Sequence, residues 1–149
     1  MTVKTLVALT PTIEWKNDRV KLIDQTKLPL EEKYIETDDY RIICDAIYRL
    51  AIRGAPAIGV AGAYACVLAA NEIEASELDD FVQIYLQKAD EIGATRPTAV
   101  NLMWAVKQMN AKVTSFVGSV TELKTALLDL AHEIREDDID RCHNLGIHG

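Results

Sequence analysis

The sequence predicts an α+β fold, a small antiparallel β-sheet within residues 1–37 followed by a helical bundle over residues 38–149. Three observations predict it. Short segments of alternating apolar and polar residues flank a turn-forming cluster before residue 37, whereas spacings of three and four take over afterwards. The run from Ala55 to Ala70 is almost wholly apolar and rich in Gly and Ala, the pattern of a helix buried on all sides. A chain of 149 residues buries about two-thirds of its unfolded surface, enough for one domain.

Each element has its own signal. Thr12 to Trp15 and Val20 to Ile23 surround the turn-like Lys16-Asn17-Asp18-Arg19, which reads as a β-hairpin, and Lys33 to Thr37 is a candidate third strand. Thr37 or Asp38 is placed to cap a helix from Asp39 to about Ile52, with Ile42, Ile43, Ala46, Ile47 and Leu50 on its apolar face. Next comes the buried Ala55 helix. Ser76-Glu77-Leu78-Asp79 offers a cap and an acidic first turn to a third helix ending near Gly93, with Leu78, Phe81, Val82, Tyr85, Leu86 and Ala89 as its stripe. A fourth helix is expected to start at Pro97 and carry Val100, Leu102, Met103, Trp104 and Val106 toward Met109. Ser119-Val120-Thr121-Glu122 is a capping box that opens a long last helix through Leu123, Leu127, Leu130 and Ile134. The chain shows no internal repeat and no low-complexity linker.

Composition excludes several functions. With a net charge of −7 and scattered lysines and arginines, the chain lacks the basic stripe that nucleic-acid binding requires. Met1 to Thr10 is poor material for a secretory signal, and the Ala55 run falls short of the ~20 residues that span a bilayer. These features predict a cytoplasmic protein without a nucleic-acid or membrane partner. The 3 cysteines, Cys44, Cys66 and Cys142, are odd in number and widely spaced, which implies no disulfide framework.

Chemistry concentrates at two arginine–proline segments, Arg53-Gly54-Ala55-Pro56-Ala57-Ile58-Gly59 and Thr95-Arg96-Pro97-Thr98-Ala99-Val100-Asn101. Proline suits the first helical position, where its missing N–H would have had no intrahelical partner. The start of the helix offers free N–H groups and the positive end of a macrodipole, a site for an anion. Gly54 lets a ligand approach the backbone, and a neighbouring guanidinium supplies paired donors suited to phosphate oxygens. Taken together, the segments read as two half-sites for one anion, with Arg53 and Arg96 converging on it. The bland alternative is that each arginine is a solvated loop residue or pairs with a local carboxylate of this acidic chain. His132, Glu133, Glu136, Asp137, Asp138, Asp140, Cys142 and His143 crowd one stretch, but without a compact metal-ligand spacing they read as a solvated helix face, and no metal or cofactor is expected. Asp24 to Pro29 reads equally as a plain connection or a functional loop.

Four segments taken in order, Leu22-Ile23-Asp24-Gln25-Thr26-Lys27-Leu28-Pro29, Ile52 to Val60, Thr95 to Leu102 and the terminal Gly146-Ile147-His148-Gly149, resemble the methylthioribose-1-phosphate isomerases. That family is grouped with ribose-1,5-bisphosphate isomerases and with regulatory subunits of translation initiation factor 2B. The resemblance implies the N-terminal domain of an aldose–ketose isomerase of methionine salvage, which turns 5-methylthioribose 1-phosphate into 5-methylthioribulose 1-phosphate. It implies substrate-binding roles for Arg53, Gly54, Ala55 and Arg96. The family's catalytic cysteine and aspartate lie in a Rossmann-like C-terminal domain, beyond Gly149, so no catalytic residue is expected in this chain and activity alone is not expected. A homo-oligomer, or association through surface that the other domain would cover, is the expected quaternary state. The alternatives are a ribose-1,5-bisphosphate isomerase fragment, against which Pro56 in Arg-Gly-Ala-Pro-Ala argues, and a non-catalytic regulatory module of the initiation-factor kind.

Overall fold

A computed structural model describes residues 13–16, 18–23, 34–48, 55–96 and 99–148. Three strands come first: β1 (Ile13–Lys16), β2 (Arg19–Ile23) and β3 (Tyr34–Thr37) form an antiparallel meander in the order β1-β2-β3. The hairpin turns over residues 17 and 18, where Asp18 takes a left-handed φ of 61°, the conformation that two-residue hairpin loops require. Register then sorts the side chains. Ile13 pairs with Leu22, Trp15 with Val20, Val20 with Thr37 and Leu22 with Ile35, so Ile13, Trp15, Val20, Leu22 and Ile35 share one face. That face packs on the helices: Ile13, Val20 and Leu22 belong to the main core, and Trp15 stacks on Tyr64 with ring centroids 5.6 Å apart.

Five helices follow: α1 (Tyr40–Tyr48), α2 (Ala55–Asn71), α3 (Leu78–Ala94), α4 (Val100–Ser115) and α5 (Val120–His148). The expected α+β architecture is the observed one. Helix α2 is its axis, for every residue from Ile58 to Ala70 is buried and α1, α3, α4, α5 and β1 all pack around it. Its alanines and glycines let those neighbours approach closely.

Capping chemistry sets most helix starts. Asp39, one residue later than expected, caps α1 by accepting from the Arg41 N–H at 2.9 Å, while Thr37 Oγ1 accepts from the Asp39 N–H at 3.0 Å. The capping box of α5 forms as expected, with Glu122 N–H to Ser119 Oγ and Ser119 N–H to Glu122 Oε1 both at 3.1 Å. Helix α3 departs from expectation. Its cap position is Glu77, extended and without a side-chain cap bond, so Ser76 does not cap it; the acidic first turn is there as Asp79 and Asp80.

Polar ties fasten the outer elements. The buried Tyr40 donates its hydroxyl to Glu91 Oε2 at 2.7 Å, joining α1 to α3. Arg41 and Lys88 both reach Glu72, at 3.1 and 3.0 Å, and both cations lie over the Tyr40 ring. Arg135 of α5 donates from Nε to the Ile13 carbonyl at 2.9 Å. Among the described residues, no helix is long and apolar enough to cross a membrane.

The core holds several groups that must stay neutral. Burial pushes the Cys66 thiol from 9.0 up to about 12 and the Tyr64 hydroxyl from 10.0 up to about 12, and it raises Tyr40 and Tyr85 as well. In the unfolded chain these groups ionise at their ordinary values, so above pH ~9 the unfolded state binds fewer protons than the folded one and stability falls as pH rises. Urea melts at increasing pH are expected to show that decline. Cys66→Ala is expected to flatten it by about 1 kcal/mol per pH unit just above pH 9. A stability profile of the parent protein that stays level through pH 10 would contradict this.

Candidate anion site at two helix starts

The site proposed from sequence has two halves, and the structure describes them unequally. Arg53 and Gly54 lie outside the described residues, as does the loop from Asp24 to Pro29. Ala55 opens α2, which puts Pro56 in its first turn, where a proline costs no hydrogen bond. The second half is displaced from its expected position. Helix α4 starts at Val100, not at Pro97, and its cap position is Ala99, with an extended backbone at φ −81° and ψ 100°.

The Arg96 carbonyl accepts from the Ala99 N–H at 2.9 Å, closing a turn ahead of the helix, and the first bond of the helix is from the Met103 N–H to the Ala99 carbonyl at 3.1 Å. Ala99, the cap residue, makes no side-chain cap bond. The leading N–H groups of α4 are therefore those of Val100, Asn101 and Leu102, which have no intrahelical acceptor.

The two helix starts are neighbours. A Cβ placed on Gly59, in the second turn of α2, would lie 3.1 Å from the Asn101 carbonyl oxygen and 3.5 Å from the Asn101 Cβ. Arg96 sits half-buried just before α4, and among the described residues no carboxylate forms an ion pair with it. A half-buried arginine close in sequence to the leading N–H groups of a helix is an environment suited to an anion.

Other polar groups lie elsewhere. The His132 Nδ1 is 2.9 Å from the Tyr64 hydroxyl, and its ring meets Tyr64 edge-on, while the side chains of Asp137, Asp138, Asp140, Cys142 and His143 lie outside the described residues. The described residues contain no group of three or more His, Cys, Asp or Glu able to hold a metal ion. A cavity of about 330 Å³ is lined by Asp18, Asp38, Leu68, Asn71 and Glu72, at the end of α2 opposite Ala55, and its carboxylates disfavour an anion. A groove of about 450 Å³ between α3 and the end of α4 is lined by Leu78, Val82, Val113 and Phe116 among others. Neither adjoins the paired helix starts. Sequence reasoning missed the Tyr64–Trp15–His132 and Tyr40–Glu91 contacts, because each joins residues distant in the chain and no local pattern marks them.

The chain belongs to the initiation factor 2 subunit family, whose model matches residues 51–149. Within reach of that family, its curated relatives include methylthioribose-1-phosphate isomerases. The one from Trichlorobacter lovleyi is 43% identical over 93% of this chain and 40% of its own length, and one from Dehalococcoides mccartyi is 44% identical over 92% and 41%. The crystal structure of 5-methylthioribose 1-phosphate isomerase from Pyrococcus horikoshii superposes with a TM-score of 0.82 at 32% identity, covering 87% of this chain and 37% of that one. The structure of the delta subunit of translation initiation factor eIF-2B from A. fulgidus gives 0.79 at 41% identity, over 86% and 37%. The chain thus spans about two-fifths of the length of the curated relatives it matches.

Proposed function

We propose that this chain is the substrate-facing N-terminal half of an aldose–ketose isomerase that converts 5-methylthioribose 1-phosphate to 5-methylthioribulose 1-phosphate. Arg53, Gly54, Ala55 and Arg96 bind the sugar phosphate, with the starts of α2 and α4 as the anion-facing backbone. The contact between Gly59 and Asn101 carries this reading, since it brings two sequence-distant helix starts to one place. The half-buried Arg96, with no carboxylate paired to it among the described residues, adds to it. A cytoplasmic setting and a homo-oligomeric state belong to the same reading. The exposed apolar Val100, Met103 and Trp104 of α4 support association.

Phosphate titration tests it. The chain is expected to bind inorganic phosphate at about millimolar affinity, and Arg96→Ala is expected to weaken it about ten- to hundredfold, the loss of one charge-assisted hydrogen bond worth roughly 1.5–3 kcal/mol. Arg53→Ala should do the same. Equal phosphate affinity in all three proteins would overturn the proposal. A non-catalytic regulatory module is the second reading, favoured by the 41% identity to the archaeal eIF-2B delta subunit; it predicts a chain indifferent to both arginine substitutions.

A further inference from the structure

We infer that Gly59 is a positioning residue for the proposed anion site, fixing where the leading N–H groups of α4 stand relative to α2. The inference rests on the functional reading above and assigns a role to a residue outside the arginine segments' polar groups. Two glycines of α2 face α4, and they differ in what a side chain would meet. At Gly59 the obstacle is backbone: the Asn101 carbonyl oxygen at 3.1 Å and its carbonyl carbon at 3.6 Å. At Gly62 it is the end of a side chain, Leu102 Cδ1 at 2.5 Å.

The distinction decides the consequence. A leucine δ-methyl gives way by rotation, or by removal of that methyl, and the strain stays in the core. A peptide carbonyl cannot rotate aside without moving its residue, so a methyl on Gly59 displaces Asn101 itself by a few tenths of an ångström. Asn101 is the second residue of α4, and its N–H is one of the leading donors that have no intrahelical acceptor. The cap residue Ala99 has no side-chain acceptor for these groups, and the close approach of Gly59 to Asn101 sets this end of α4 against α2. Hydrogen bonds to an oxyanion depend steeply on donor placement, so the displacement is read out in ligand affinity.

The test compares the two glycines in the same chain by phosphate titration and thermal melting. Gly59→Ala is expected to raise the Kd for inorganic phosphate about three- to tenfold. Gly62→Ala is expected to lower the melting temperature while leaving that Kd within about twofold, and Gly62→Ala with Leu102→Val is expected to recover the melting temperature. In the parent protein, phosphate is expected to shift the amide resonances of Val100 and Asn101, a readout that does not depend on any variant folding. A Gly59→Ala protein that folds and binds phosphate like the parent overturns the positioning role alone. So does parent binding that leaves the Val100 and Asn101 amides unmoved. A parent protein that binds no phosphate overturns this inference together with the functional reading beneath it.

Discussion

Offered 5-methylthioribose 1-phosphate in a coupled assay, the purified chain is expected to give no measurable turnover, at least about 10⁶-fold below a complete relative. Moving hydrogen between adjacent sugar carbons needs an acid and a base within hydrogen-bond reach of the substrate, with ionisation tuned near the working pH. The described residues have their displaced ionisations in the wrong places and in the wrong direction. Cys44, Cys66, Tyr64 and Tyr85 are all raised by burial, so each is held protonated inside the fold, whereas a working thiol needs its ionisation lowered. Arginine stays protonated near neutral pH and so does not exchange protons with a substrate. Turnover within a hundredfold of a complete isomerase would overturn this expectation and would place an acid–base pair within this chain.

Tyr64→Ala is expected to cost the fold about 3–5 kcal/mol, the range for removing a large aromatic from a core. Tyr64 is fully buried in the central helix and touches two other layers, stacking on Trp15 of β1 and bonding to His132 of α5. Truncation therefore opens a cavity where sheet, α2 and α5 meet, and it leaves His132 without its partner. Tyr64→Phe keeps the ring and removes the hydroxyl alone, for which about 1 kcal/mol is expected. Urea denaturation gives both values, and a Tyr64→Ala loss below about 1 kcal/mol would show that the stack contributes little.

Local chemistry made much of the fold readable. The hairpin was legible because alternating residues bracket Asn17 and Asp18, and the last helix because Ser119 and Glu122 stand at capping-box spacing. Helix α2 was legible because nearly every position is apolar, which leaves it no solvent face. The side assignment on α4 was less readable. Leu102, Met103 and Trp104 are consecutive and so cover most of the helix circumference, and periodicity alone does not choose among them. Packing against α2 chooses: Leu102, Val106 and Met109 are buried, whereas Val100 is 76% exposed and Met103 and Trp104 also face outward. The start of the same helix misled as well: Pro97 suits a first helical position, but the chain closes a turn from Arg96 to Ala99 before the helix begins. For the site, the arginine and proline chemistry and the pairing of the two segments were read from the sequence; the approach of Gly59 to Asn101 was not, because it depends on the absence of a side chain opposite a backbone in a distant segment.

The Arg135 bond to Ile13 also bears on how this protein keeps its sheet to itself. Among the described residues β1 is an edge strand, and an edge strand offers unpaired backbone groups to any strand that arrives from another molecule. In a hairpin closed by a two-residue loop, Lys16 and Arg19 exchange hydrogen bonds and the pairs alternate from there, so Ile13, opposite Leu22, turns its carbonyl away from β2. That outward carbonyl is the one Arg135 occupies. The guanidinium acts as a plug on the open rim of the sheet, supplied by a helix 122 residues further along the chain. This protection of the Ile13 carbonyl arises only once the last helix has docked, so the sheet rim and the far end of the chain are finished together.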